Sequence, residues 1–129
     1  MEVYRIKDWD KHFEVAQSRR RADAKSTWVA IPNKHDGKGY RRMMRQENGP
    51  QLFAAWVLIV QVASKCPIRG VLSDEDGPLN ADDLELKTDC PAVTFKDALQ
   101  LLASPEVGWI ETISESELRT ALRAQSDSG

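Results

Sequence analysis

Apolar residues crowd one stretch of the chain above all others. Leu52, Phe53, Ala54, Ala55, Trp56, Val57, Leu58, Ile59, Val60, Val62 and Ala63 cover nearly the whole circumference of a helix over residues 51–65. A helix apolar all round is buried on several sides, so this one is expected at the centre of the core. Asn48 or Gly49 can cap it, and Pro50 suits its first turn, where a missing N–H has no partner to lose. The run is interrupted by Gln61 and falls short of the roughly 20 apolar residues that cross a bilayer. The N-terminus carries no apolar run of the secretory type, and a cytoplasmic protein with no membrane partner is expected.

Weaker patterns flank this helix. Val3 to Lys7 alternates apolar and polar side chains, the period of a strand. Trp9 and Phe13, four apart, can share one face of a helical turn. Residues 17–25 hold Arg19-Arg20-Arg21 and no large apolar side chain, which predicts an exposed loop or frayed helix. Residues 27–31 are β-branched and aromatic and predict a second strand. A turn is expected at 36–39 and a short basic helix at 40–46, with Tyr40, Met43 and Met44 facing inward.

Beyond the central helix, residues 69–73 predict a short strand and 74–78 an acidic turn. Asn80 is a good N-cap for a second helix that opens with Asp82 and Asp83, carries Leu84 and Leu86, and ends near residues 88–89. Cys90-Pro91-Ala92 is a turn. A third helix at 94–103 sets Phe95, Ala98, Leu99 and Leu102 on one stripe, and Pro105 stops it. A strand follows, alternating from Trp109 to Ile113, then an amphipathic helix at 115–124 and a Ser/Asp/Gly end that reads as the start of a linker. The fold class implied is α+β and mainly helical.

Helix, short strand, helix, tight turn, helix, strand is the order of a winged helix-turn-helix. The side chains of the second half agree: Leu84-Glu85-Leu86, the turn Cys90-Pro91-Ala92, and a third helix whose leucines lead to Val107-Gly108-Trp109-Ile110-Glu111. This pattern resembles DnaD-like and related phage replication organiser domains. The first half, Trp28-Val29-Ala30-Ile31-Pro32-Asn33 through Gly39-Tyr40, then Glu47-Asn48-Gly49 and Ala55-Trp56, looks like phage- or prophage-type proteins. The resemblance implies a basic N-terminal extension of two short strands (1–46) packed on a winged-helix domain (47–113). A C-terminal helix and the start of a linker (114–129) would follow. It also implies a DNA-binding domain of a replication initiator or organiser.

Charge sharpens that expectation. The formal net charge of −2 hides 12 Lys/Arg against 6 Asp/Glu up to Gln46, and 6 against 14 beyond it. Such asymmetry suggests a polyanionic partner for the basic third. The candidate DNA-binding residues are Arg19, Arg20, Arg21, Lys34, Lys38, Arg41, Arg42 and Arg45, with Thr94 and Lys96 on the third helix. The arginines of the short basic helix recur at spacings of three and four and would form a phosphate track. The third helix is a poor groove reader, because Asp82, Asp83 and Glu85 on its neighbour repel phosphate. DNA, duplex or single-stranded, is the expected partner. A homo-oligomer, or assembly with replication proteins, could accompany it.

The remaining chemistry is sparse. His12, His35, Cys66 and Cys90 lack the short ligand spacings of a zinc site. No nucleophile elbow, phosphate-cradling glycine loop or metalloprotease motif is present, so neither enzymatic activity nor a cofactor is expected. Trp28, Trp56 and Trp109 are core candidates, whereas Trp9 and Tyr40 have the basic neighbours that base stacking needs. Two alternatives stay open: a protein-interaction or oligomerisation module, which suits the acidic half, and a winged-helix transcription regulator.

Overall fold

The computed structural model describes residues 2–13, 29, 31 and 37–128. The strand expected at 27–31 and the loop at 17–25 lie outside the described residues, apart from Val29 and Ile31. The chain is α+β. In order it forms β1 (Val3–Ile6), α1 (Trp9–His12), α2 (Lys38–Met44), α3 (Gly49–Ser64), β2 (Ser73–Asp74) and β3 (Gly77–Pro78). Then come α4 (Ala81–Thr88), α5 (Ala92–Leu102), β4 (Ile110–Ile113) and α6 (Glu115–Ser128). Among the described residues no helix is long and apolar enough to cross a membrane.

The central helix forms as its composition demands. Pro50 sits in the first turn of α3, and Leu52, Ala55, Trp56, Ile59, Val60 and Ala63 are buried. Phe53, Leu58 and Val62 are half-buried against the same cluster. Helices α4 and α5 pack on it through Leu84, Phe95, Ala98, Leu99 and Leu102.

Asn80 caps α4 in a reciprocal box. Its side chain accepts from the Asp83 N–H at 2.9 Å, and the Asp83 carboxylate accepts from the Asn80 N–H at 2.8 Å. Such a cap contributes about 1 kcal/mol. Leu86, by contrast, stands 82% exposed. Residues two apart on a helix point about 200° from one another, so Leu84 and Leu86 cannot both face the core.

The N-terminal strand is hydrogen-bonded along both of its edges. β1 pairs antiparallel with β4, Val3 opposite Ile113 and Ile6 opposite Ile110. On its other edge the Ile6 N–H donates to the Gly70 carbonyl at 2.8 Å, and the Leu72 N–H to the Tyr4 carbonyl at 2.9 Å. The predicted strand at 69–73 is thus reduced to one bridge, Arg5 to Val71, and to Ser73, which opens β2. The acidic stretch after it closes a two-residue hairpin, β2 against β3, around the Asp74 carboxylate.

Strand alternation gives the sheet two buried faces. Tyr4, Ile6 and Ile110 look toward the helices, while Val3, Val71 and Ile113 meet Leu118 and Leu122 of α6. Arg5 and Glu111, opposite each other on that second face, form an ion pair at 2.8 Å. The C-terminal helix does not stop at residue 124 but continues to Ser128. No Pro or Gly interrupts it before Gly129, and polar composition alone does not end a helix.

Candidate functional site

The short basic helix α2 carries or adjoins four of the candidate residues, Lys38, Arg41, Arg42 and Arg45. It is held to the core by its other side. Met43 is fully buried, the Tyr40 ring meets Phe53 edge-on with centroids 5.3 Å apart, and Gly39 lies against the Trp109 indole. At about 100° per residue, Lys38, Arg41, Arg42 and Arg45 then fall within an arc of about 100° on the opposite side. All four are exposed. Arg41 and Arg42 also occupy the last turn, where the helix dipole favours cations.

One of the four is paired. Arg42 contacts Glu106 on the α5–β4 connection at 2.9 Å, with both side chains about half exposed (48% and 54%). A pair so open to water is worth at most about 1 kcal/mol, and a stronger anion displaces it readily. Among the described residues no carboxylate pairs with Lys38, Arg41 or Arg45. Arg19, Arg20, Arg21 and Lys34 lie outside the described residues.

The two candidates on α5 stand apart from this face. Arg42 reaches the chain beyond the C-terminal end of α5, whereas Thr94 and Lys96 lie in the first half of that helix. Those two also diverge from each other, because two helical positions separate them by about 200°. Lys96 lines a shallow depression with Tyr4, Asn80, Gln100 and Thr112. There the Tyr4 hydroxyl donates to Glu2 at 3.3 Å, and burial, then Glu2, pushes its pKa up.

The α4–α5 unit presents a different surface. Asp89 ends α4 in the left-handed conformation (φ 60°), and the Cys90 N–H donates to the Thr88 hydroxyl at 3.1 Å. The Ala92 N–H, in the first turn of α5, donates to the Glu85 carboxylate at 2.9 Å. A groove-reading helix presents its N-terminal end to DNA. Here that end already holds an anion, Glu85, and Asp82, Asp89 and Asp97 of the same α4–α5 unit are exposed. Between these carboxylates Leu86 and Val93 stand 82% and 64% exposed.

The candidate stacking aromatics are committed elsewhere. Trp9 is buried and stacks on Phe13 with centroids 4.8 Å apart, and the Phe13 ring in turn meets Trp56. Tyr40 is half-buried against Phe53. Trp56 is buried and Trp109 half-buried beside it, as core residues should be, while Trp28 lies outside the described residues.

Burial pushes both thiols up, with Glu85 adding to the effect at Cys90, so neither is a thiolate at neutral pH. Among the described residues no group of three or more His, Cys, Asp or Glu side chains could hold a metal ion.

Three features escape sequence reading: the Glu85 cap on α5, the exposure of both Leu86 and Val93, and Ser73. The Ser73 hydroxyl is buried (1% exposed) and has no hydrogen-bond partner among the described residues. A hydroxyl so placed costs about 1–3 kcal/mol.

No family model, curated protein or solved structure matches this chain. The likeness to DnaD-like domains therefore rests on the residues quoted above.

Proposed function

We propose that this chain is a nucleic-acid-binding module of winged-helix type, of the kind used by phage-type replication initiators or organisers, and that it holds the phosphate backbone on the outward face of α2. The observation that carries the reading is the arc of Lys38, Arg41 and Arg45, unpaired among the described residues and flanked by a weakly held Arg42. Seven residues of helix rise about 10 Å, enough to follow about three phosphates of one strand. The order α3, bridge at Val71, α4, turn, α5, β4 supports the winged-helix part, with β1 supplying a strand from the N-terminal side. Arg19, Arg20, Arg21 and Lys34, from the same basic third, would extend the contact. Such a protein would work in the cytoplasm and needs no cofactor.

The test is fluorescence anisotropy with duplex and single-stranded DNA as salt is raised. The three contacts on α2 contribute about −2.7 to the slope of log K against log salt, so duplex binding should weaken by at least about 40-fold between about 50 and 200 mM. Removing two contacts in Arg41→Ala/Arg45→Ala should make that slope shallower by about 1.8. Absence of binding at low salt, or an unchanged slope in the double variant, overturns the assignment.

A second reading, protein docking through α4 and α5, is favoured by the exposure of Leu86 and Val93 among carboxylates. An oligomer assembled on that face should dissociate in Leu86→Ser/Val93→Ser, as read by sedimentation velocity. A monomeric wild type, or an unchanged mass distribution, removes self-association as the use of this face.

A further inference from the structure

A cleft of about 390 Å³ opens beside the C-terminal end of α3, on elements the α2 reading does not use. Leu58, Val62 and Leu79 give it an apolar wall, and the Cys66 side chain lies along it, donating to the Val62 carbonyl at 3.3 Å. Two cations, Lys65 and Lys87, stand at its rim and are exposed. The rim carboxylate, Asp74, already accepts from the Asp76 and Gly77 N–H groups at 2.8 and 3.0 Å, so its charge is partly engaged. Ser73 lines the same cleft with its buried, unpartnered hydroxyl. An apolar wall with two ammonium groups at its rim describes an incomplete polar shell.

We propose that this cleft binds a small carboxylic acid with an apolar tail. The carboxylate takes the Lys65 and Lys87 ammonium groups as its partners, and the tail lies on Leu58, Val62 and Leu79. The volume is in the range of about 300–1,000 Å³ usual for small-molecule sites, and a few convergent polar groups on an apolar lining are their common form. The acid supplies what the site lacks: a negative charge for a rim with two cations and one carboxylate. Burial keeps the Cys66 thiol protonated at neutral pH, so it is a wall of the site and not a nucleophile.

The two cysteines give a direct assay, because Cys66 lines the cleft and Cys90 does not. The full chain is alkylated with iodoacetamide under mildly alkaline conditions while octanoate is titrated, and each thiol is followed by peptide mass spectrometry. Octanoate at about four times its Kd should slow Cys66 modification about fivefold and leave Cys90 unchanged, which also reports that the protein stays folded. Octanol, with the same tail and no charge, should protect far less. Lys65→Gln/Lys87→Gln should lose most of the protection. Unprotected Cys66 at millimolar octanoate overturns the site. Equal protection by octanol, or protection retained in the lysine variant, overturns the acid as its ligand.

Discussion

Replacing Gly70 with alanine should lower the stability of this protein by about 3 kcal/mol or more, and the midpoint of thermal unfolding by about 10 °C or more. Two effects add. Gly70 has φ +91°, a conformation that L side chains avoid at a cost of about 1–2 kcal/mol. A Cβ there would stand 2.6 Å from the Trp9 ring carbon Cγ and 2.8 Å from Trp9 Cβ and Cδ2. Neither neighbour can give way cheaply. Trp9 is buried and stacked on Phe13, with Arg69 lying 5.9 Å above its ring. Gly70 is itself fixed by two hydrogen bonds, its N–H to Ala63 and its carbonyl from Ile6.

Gly108→Ala is the matched control. Its φ is also positive (+65°), but the closest groups an added Cβ would meet are 3.7 Å away or more. It should lose only the backbone part, about 1 kcal/mol. Equal losses in the two variants, measured by urea titration, would show that the Trp9 contact contributes nothing.

This junction also marks the limit of what the sequence discloses. The alternation at Val3 to Ile6 identifies a strand, and the spacing of Trp9 and Phe13 identifies their shared face, because both are local periodicities. The partner of β1 is another matter. Its pairings run to Ile113 and Val71, and side-chain alternation states a face, not a neighbour. The same division runs through the proposed binding surface. The arc of Lys38, Arg41, Arg42 and Arg45 follows from spacing on a helix. The neutralisation of Arg42 by Glu106, 64 residues away, does not. Asn80 announces its cap because the Asn and Asp three apart form the signal. Ser73 announces nothing: an unpartnered buried hydroxyl is defined by its surroundings, and a serine beside two apolar residues has no distinguishing pattern.

Reversing two charges on α2, in Arg41→Glu/Arg45→Glu, should weaken DNA binding at about 50 mM salt by more than about a hundredfold. Counterion release makes each phosphate contact worth about one decade of affinity at that salt, so losing two sets a floor of about two decades, and the added repulsion deepens it. The fold should survive. Both side chains are exposed and have no carboxylate partner among the described residues, and weakening the cationic end of a helix costs about 0.3–1 kcal/mol per charge.

The decisive comparison is Thr94→Ala/Lys96→Ala, on the helix that would enter the groove in a base-reading protein. With Glu85 closing the N-terminal end of that helix and Asp97 beside Lys96, this pair should change affinity less than about threefold and leave sequence preference untouched. A larger loss from the α5 pair than from the α2 pair would move the interface to α5 and make it a reader of bases. Near-wild-type affinity in both would leave the cations of α2 as an ordinary solvated face. Contacts to phosphate carry no sequence information, so the α2 reading also requires scrambled duplexes of equal length to bind alike. A strong preference among them would count against it even if the charge reversal behaved as expected.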